Sequence, residues 1–148
     1  MTTIPSQFLD TLFVESSQEN LDEFLSIRDV PWLIRKLILG KMKNSQFLIK
    51  SSSNGEYTYT TGNRTKSLQY RFKLDEPFTD VGYDGKRHKI TISVEGDKLK
   101  EVHLNLERDV GEDIFYFYVQ DNSLISECEA ISGGKRCTWK RTFLKSTN

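Results

Sequence analysis

The sequence is poor in cysteine and has no long apolar run. Its two cysteines, Cys128 and Cys137, form neither a disulfide framework nor a recognisable metal-ligand spacing. We interpret them as reduced, semi-buried thiols. No apolar segment approaches the roughly 20 residues that a membrane-spanning helix needs, and the first residues lack the basic and apolar regions of a signal peptide. These absences predict a soluble, cytoplasmic protein, and secretion stays open if a signal peptide has been removed.

The chain also lacks an excess of charge of either sign. Lysine and arginine together number 21, as do aspartate and glutamate, so the net charge is zero. A protein that binds nucleic acid or an anionic membrane through its overall field carries a surplus of positive charge. We therefore expect no nucleic acid partner, and any electrostatic contact must come from a local cluster. With 148 residues, the chain fits one domain with a substantial core.

The N-terminal third predicts one strand and two short helices. A strand fits residues 11–15, and Ser16-Ser17-Gln18-Glu19 resembles a capping box, in which serine and glutamate side chains satisfy the first helical amides. We therefore expect the first helix to begin at about residue 17. Its stripe at spacing i, i+3, i+4 and i+7 is Leu21, Phe24, Leu25 and Arg28. Pro31 then begins a second helix that runs to about Gly40.

From residue 45 onward the helical period gives way to alternation, with turn residues every eight to twelve positions. The predicted strands are 46–50, 56–61, 67–74, 78–81, 88–94, 99–107, 113–120, 124–131 and 136–145. So many short antiparallel strands in one domain predict a closed barrel or a sandwich, because an open sheet of that size would leave exposed edges. Only 36% of the residues are apolar, which favours a barrel with a water-containing cavity over a dry, filled core.

The final predicted strand has one face that is aromatic except for a single arginine. Alternate residues of a strand point to opposite faces, which places Cys137, Trp139, Arg141 and Phe143 on one side. Arg141 is either a surface side chain whose stem covers apolar neighbours, or a fixed cation in a cavity that binds an anion. The residues alone leave both alternatives open.

Six segments, in register over about 130 residues, resemble the intracellular fatty-acid-binding protein family. They are Asn20-Leu21-Asp22-Glu23-Phe24-Leu25, Val30-Pro31-Trp32-Leu33-Ile34-Arg35-Lys36, Phe72-Lys73-Leu74 with Glu76-Pro77-Phe78, Asp84-Gly85-Lys86, Gly96-Asp97-Lys98-Leu99 and Arg141-Thr142-Phe143. The opening Ile4-Pro5-x-x-Phe8 is most similar to nematode members.

The resemblance implies an all-β fold, a ten-stranded antiparallel up-and-down β-barrel (β-clam) with a two-helix lid at about residues 17–41. Residues 1–148 would form this single lipid-binding domain. It further implies a monomeric, non-enzymatic intracellular carrier that needs no cofactor. Such a carrier binds a long-chain fatty acid or similar lipid in the internal cavity and delivers it to membranes or to a nuclear receptor. The nucleus is then a second expected location.

The resemblance also assigns roles to residues. Arg141 would pair with the ligand carboxylate, because a guanidinium is always charged and donates to both oxygens. Phe117 stands where the family has a second internal arginine and Phe143 where it has a tyrosine, so the anchor is reduced to one cation. The lumen residues expected beside Arg141 are Trp139, Phe143, Phe115, Phe117, Ser126 and Cys128. The lid would point Leu25, Val30, Ile34 and Ile38 into the barrel, opposite a portal of Thr65, Lys66, Tyr83 and Asp84.

Two interpretations of His103 are equally supported. Plain alternation exposes it, whereas the family register places a polar residue in the cavity there. We keep His103 as a candidate ligand-binding residue without a catalytic role, and expect His88 to be an ordinary strand residue. No serine, cysteine or aspartate stands at a recognisable spacing from either histidine, which argues against a lipid-modifying enzyme.

Five basic residues fall on or near the predicted lid: Arg28, Arg35, Lys36, Lys41 and Lys43. Such a cluster could dock on anionic lipid at up to about 1 kcal/mol per basic residue. It could also present a nuclear-import patch, or be no more than solvated helix faces. The alternative function is therefore a peripheral membrane protein of the same fold that acts through its basic lid.

Overall fold

A computed structural model describes residues 2–109 and 111–146, which form one ten-stranded antiparallel sheet and two α-helices. The helices are α1 (Leu21–Ile27) and α2 (Trp32–Lys41). The strands are β1 (Phe13–Glu19), β2 (Gln46–Ser51), β3 (Glu56–Gly62), β4 (Ser67–Lys73), β5 (Phe78–Val81), β6 (Arg87–Glu95), β7 (Lys98–Asn105), β8 (Glu112–Gln120), β9 (Ser123–Ser132) and β10 (Lys135–Lys145). This confirms the all-β barrel with a two-helix lid, and nine predicted strands end within two residues of those observed.

The sheet is a meander that curls into a nearly closed barrel. Its strand order is β4-β3-β2-β1-β10-β9-β8-β7-β6-β5, so β1 and β10 pair and the two ends of the sheet are β4 and β5. Side chains bridge these ends. The Tyr70 hydroxyl of β4 donates a hydrogen bond to the Val81 carbonyl of β5, and the ring of Phe78 packs 5.5 Å from that of Tyr70.

Alternation builds the interior, because every second residue of a strand points inward. In β10 the buried residues are Cys137, Trp139, Arg141 and Phe143. They form the mostly aromatic face that alternation predicted for this strand. Aromatic rings from opposite walls meet across the middle, with Phe47 5.1 Å from Phe117. Cys128 and Cys137 are free, buried thiols.

The predicted start of the first helix is wrong. Residues 16–19 belong to β1, where Ser16 lies at a bulge and residues 17–19 pair with β10. The helix α1 begins only at Leu21, after Asn20 with a left-handed φ of 71°. The Ser16 hydroxyl, expected to cap the helix, instead donates to the Thr142 carbonyl at 3.1 Å. Strand pairing thus outweighs the local capping signal, since it satisfies several backbone groups at once.

The two helices cover the barrel in different ways. α1 buries Leu21, Phe24 and Leu25, whereas none of the residues of α2 is buried. Arg35 holds α2 in place, because its guanidinium donates to the Val30 carbonyl at 2.9 Å and to Asp22 of α1 at 3.1 Å. No helix in the described ranges is long and apolar enough to cross a membrane.

Two glycines in this fold should respond oppositely to alanine. A Cβ on Gly82, in the β5–β6 turn, would stand 2.3 Å from the His88 ring, whereas one on Gly40 in α2 would meet nothing within 4 Å. We expect Gly82→Ala to destabilise the protein by about 1–3 kcal/mol through overpacking. Gly40→Ala should stabilise it by about 0.5–1 kcal/mol, because alanine is the better helix former.

Urea denaturation of both variants measures these free energies of unfolding. Equal effects of the two substitutions would contradict the close contact between the turn and the His88 ring.

Candidate functional site

A cavity of about 610 Å³ lies beneath the lid and reaches the surface between the lid and the β3–β4 and β5–β6 turns. Its size falls in the range of roughly 300–1,000 Å³ that small-molecule sites occupy. Aromatic rings form much of its wall, with charged side chains at a few positions. Such a space suits a mostly apolar ligand whose polar end is placed by a small number of groups.

Arg141 is a buried cation on the cavity wall. Its guanidinium carbon stands 4.5 Å from the ring centroid of Trp139, 5.2 Å from that of Phe143 and 5.8 Å from that of Phe115. The group also donates to the Ser126 hydroxyl at 3.3 Å. Within residues 2–109 and 111–146, no carboxylate forms an ion pair with Arg141. Three aromatic faces therefore fix a guanidinium whose charge is not neutralised by an acid.

The charge of Arg141 acts on the pKa of one carboxylate in particular, that of Glu15. It lies on β1 just before a bulge and is buried, and its Oε1 accepts the Ser45 amide at 3.4 Å while its Oε2 has no partner. Burial raises the pKa of Glu15, an effect that the charge of Arg141 and backbone hydrogen bonds reduce but do not cancel. The protein thus keeps a poorly solvated acid near its unneutralised cation.

A second cation enters the cavity from the lid. Arg28, at the C-terminal end of α1, forms an ion pair of 2.8 Å with Asp113 of β8, and both side chains are largely buried. The other oxygen of Asp113 accepts the Tyr83 hydroxyl at 2.8 Å. Burial, with the nearby charge of Asp113, raises the pKa of Tyr83, so the phenol stays protonated and keeps donating. This group joins the lid, the barrel wall and the β5–β6 turn.

Both histidines are buried and hydrogen-bonded to each other. His88 Nδ1 and His103 Nδ1 are 2.8 Å apart, His88 Nε2 is 2.8 Å from Asp84, and His103 Nε2 is 2.5 Å from Glu101. His103 and Glu101 line the cavity. His103 is buried and Leu104 points outward, so the exposed position that plain alternation gives His103 is wrong. His88 is buried and hydrogen-bonded to His103, so it is not the ordinary strand residue that we expected.

The structure places the predicted site residues in two groups. Those that line the cavity are Arg141, Trp139, Phe117, Phe115, His103, Tyr83, Leu25, Val30, Ile34 and Ile38, together with the portal residues Thr65, Lys66 and Asp84. The buried residues that stand behind this wall are Phe143, Ser126 and Cys128. Of this second group, Phe143 and Ser126 touch Arg141 itself. The assignment of all these residues to a ligand stays a prediction.

The predicted basic cluster on the lid is smaller than expected. Arg28 turns inward to Asp113, and Arg35 is held by Asp22 and the Val30 carbonyl. The helical period already carried the signal for Arg28, since it falls on the same stripe as the buried Leu21. The remaining exposed members are Lys36, Lys41 and Lys43.

No group of three or more histidine, cysteine, aspartate or glutamate side chains in the described part of the chain is placed to hold a metal ion. The polar groups that line the cavity include guanidinium, carboxylate, imidazole and phenol groups. These can pair with an anion, accept or donate hydrogen bonds, and exchange protons.

Comparison with known proteins identifies relatives along nearly the whole chain. The chain is 31% identical over 147 residues to fatty acid-binding protein homolog 3 of Caenorhabditis elegans, covering 97% of this chain and 85% of that protein. It is 30% identical over 110 residues to the fatty acid-binding protein homolog of Ascaris suum, covering 71% and 66%. No family model matches the chain.

Solved structures show the same fold. One is an extracellular fatty acid binding protein, with a TM-score of 0.82, 22% identity, and coverage of 98% of this chain and 100% of that one. Another is the Schistosoma mansoni fatty acid binding protein in complex with arachidonic acid, with a TM-score of 0.77, 19% identity and coverage of 98% and 100%.

The Arg28–Asp113 pair yields a stability prediction. Arg28→Met should cost about 3–5 kcal/mol, because it leaves Asp113 as a buried charge without its cation. Arg28→Met combined with Asp113→Asn should recover most of that loss, since the amide is neutral and still accepts from Tyr83. Urea denaturation at pH 7 measures both.

The matched control is Arg136→Met, which breaks the exposed pair of Arg136 with Glu129 at 3.4 Å. It should change the free energy of unfolding by less than about 1 kcal/mol. A double variant no more stable than Arg28→Met alone would show that the pair is not the source of the cost.

Proposed function

The chain belongs to the fatty-acid-binding protein family, and from this premise we propose that it is a non-enzymatic carrier of a long-chain fatty acid or similar lipid. The lipid lies in the internal cavity with its carboxylate on Arg141. The protein delivers it to membranes or to a nuclear receptor. The observation that carries this proposal is the buried guanidinium of Arg141, which faces the cavity and has no acid paired with it among the described residues.

Affinity and position come from different parts of such a ligand. Each methylene removed from water contributes roughly 0.8 kcal/mol, so the chain supplies most of the affinity and needs apolar walls such as Phe24, Phe117 and Ile38. A buried carboxylate is costly unless it is paired and hydrogen-bonded. Arg141 meets that need, and the aromatic rings around it limit its movement.

The neighbours of the histidines favour a carrier over an enzyme. In the structure as described, His88 and His103 bond to each other and to the carboxylates of Asp84 and Glu101. No serine, threonine or cysteine within residues 2–109 and 111–146 is hydrogen-bonded to either ring, so neither histidine has a nucleophile to activate. Turnover of a bound lipid that disappears in His103→Ala would overturn the non-enzymatic assignment.

A second candidate function is a peripheral membrane protein that acts through α2. Trp32 and Leu33 are 62% and 64% exposed, and Leu37 is 55% exposed. Lys36 lies over the Trp32 ring at 5.6 Å. Exposed apolar and basic side chains on one helix suit the interface of an anionic bilayer. The carrier could use the same face to transfer its lipid, whereas the alternative makes membrane contact the main activity.

The monomeric state and the cytoplasmic and nuclear locations expected from the sequence remain predictions. One solved structure of the same fold is described as an extracellular protein. Fractionation of the source cells and sedimentation of the purified protein test them.

Arg141→Gln should lower the affinity for oleate by roughly 10- to 150-fold, which corresponds to about 1.5–3 kcal/mol for hydrogen bonds to a charged group. It should barely change the affinity for oleyl alcohol, which has the same chain and no carboxylate. Isothermal titration with both ligands measures the difference. The control is Lys140→Gln, because Lys140 lies beside Arg141 on the outward face of β10. An unchanged oleate affinity in Arg141→Gln would contradict the proposed head-group contact.

Membrane docking through α2 should be visible in the fluorescence of Trp32. In a Trp139→Phe background Trp32 is the single tryptophan, since the chain has two, and its emission should shift to the blue with phosphatidylserine vesicles. Lys36→Gln with Lys41→Gln should weaken partitioning by roughly 30-fold, from about 1 kcal/mol per basic residue.

The control pair is Lys50→Gln with Lys73→Gln. These exposed residues lie on β2 and β4 toward the end of the barrel opposite the lid, since the β3–β4 turn at the other end touches Lys41. Equal effects of the two pairs would show that α2 is not the docking face.

A further inference from the structure

A line of four side chains, three of them buried and one half-buried, connects the portal to the cavity. We name it the histidine chain: Asp84, His88, His103 and Glu101. Its three consecutive hydrogen bonds measure 2.8, 2.8 and 2.5 Å. Asp84 belongs to the β5–β6 turn, and Glu101 lies on β7 in the cavity wall. The histidine chain therefore runs from the rim of the barrel to the space where a ligand would lie.

The geometry of the chain determines how many protons it holds. Two Nδ1 atoms 2.8 Å apart share one proton, because two lone pairs or two N–H groups would repel each other at that distance. Each outer bond, from an imidazole Nε2 to a carboxylate, also needs one proton. The three hydrogen bonds of the histidine chain therefore need three protons. With both carboxylates ionised, one of the two imidazoles is then an imidazolium.

A fourth proton on the imidazoles breaks this arrangement. Both rings would then be cations with N–H groups at both nitrogens, and the two Nδ1–H groups would point at each other. The His88–His103 bond would be replaced by repulsion between like charges in a buried site. Imidazole is the side chain that takes up a proton between about pH 8 and 5, whereas carboxylates do so at lower pH.

Three tyrosines and an asparagine that surround the histidine chain do not change charge over this range. On β3, β4 and the β5–β6 turn stand Tyr59, Tyr70 and Tyr83, and burial raises the pKa of each, so they stay neutral. On β7, the Asn105 amide donates to Asp84 at 3.1 Å.

The charged neighbours are the Arg28–Asp113 pair, in which Asp113 is the β8 partner of His103, and Asp80, the exposed β5 partner of His88. Two opposing effects act on the pKa of Asp84. Its burial would raise its pKa, but hydrogen bonds from His88 and from the Lys86 amide lower that pKa below its usual value, so it stays ionised.

The histidine chain is in contact with the parts of the protein that form the mouth of the barrel. The β5–β6 turn sits directly on the His88 ring, since even a Cβ on Gly82 would approach that ring to 2.3 Å. The next residue, Tyr83, donates to Asp113, which binds Arg28 at the end of α1. A change at His88 therefore reaches both the portal turn and the lid through direct contacts.

We propose that the histidine chain is a proton-binding site that holds the portal turn against the barrel at neutral pH and frees it, with the bound lipid, when acidification adds one more proton. This inference rests on the proposed carrier function. The proton comes from solvent, so the device needs no further reactant. An acidic compartment or an acidic membrane surface would then promote unloading.

The experiment has a ligand-free arm and a ligand arm. In the first, amide hydrogen exchange of the apo protein follows the β5–β6 turn at pH 7.5 and 5.5, corrected for intrinsic exchange rates. In the second, stopped-flow transfer to phosphatidylcholine vesicles measures the dissociation rate of oleyl alcohol, whose head group does not titrate. We compare wild type with His103→Gln and Asp84→Asn. The control is Asp97→Asn, because Asp97 is an exposed acid in the β6–β7 turn, at the opposite end of β6 from the β5–β6 turn.

In wild type and Asp97→Asn, we expect both rates to rise about tenfold from pH 7.5 to 5.5. In His103→Gln and Asp84→Asn the rise should be less than twofold. The first variant lacks the His88–His103 bond that the extra proton breaks, and the second removes a carboxylate charge that favours protonated imidazole. If His103→Gln fails to fold, Asp84→Asn decides the matter, since it changes a residue at the rim.

Two results would overturn the proposal: exchange in wild type that is independent of pH, or a full tenfold response in both chain variants. Failure of the carrier function has a separate signature. In that case the turn still responds to pH in the ligand-free arm, which supports the proton site, but neither oleate nor oleyl alcohol binds at any pH.

Discussion

Burying charge in a protein interior is costly unless the charge finds a partner, and this constraint organises the inside of the barrel. Arg28 is neutralised by Asp113, and Asp84 and Glu101 are each bonded to a histidine. Arg141 is treated differently: aromatic faces and one hydroxyl hold it, and the nearby Glu15 lies beyond ion-pair distance. Among the residues that the structure describes, Arg141 is thus a buried cation that no acid neutralises, and it faces the cavity.

Much of the fold could be predicted because strands leave a strong local signal. Alternation and turn residues located nine strands, and the resemblance of short segments supplied their closure into a barrel. The first helix was misplaced for a reason that the local sequence does not contain. Whether Ser16 caps a helix or bonds to Thr142 depends on a strand more than a hundred residues later, and that pairing exists only in the folded chain.

The site was harder to predict because its key groups are defined by their partners. Arg28 was grouped with surface cations although its position on the helical stripe points inward, and its partner Asp113 is distant in sequence. His88 has no nearby acid or thiol at a familiar spacing except Asp84, four residues before it. Arg141 was identified because its neighbours along β10 are aromatic and its face could be read from alternation.

The gap between β4 and β5 has a mechanical consequence for the whole barrel. A ring of strands joined all round by backbone hydrogen bonds has a fixed circumference, because widening it breaks a ladder. Here the two ends of the sheet are joined by the Tyr70 hydroxyl and by stacked rings such as Phe72 and Phe78. Side chains can change rotamer at little cost compared with a backbone ladder. The barrel is therefore a sheet whose two ends are joined by side-chain contacts, and its circumference can change with the size of the bound ligand.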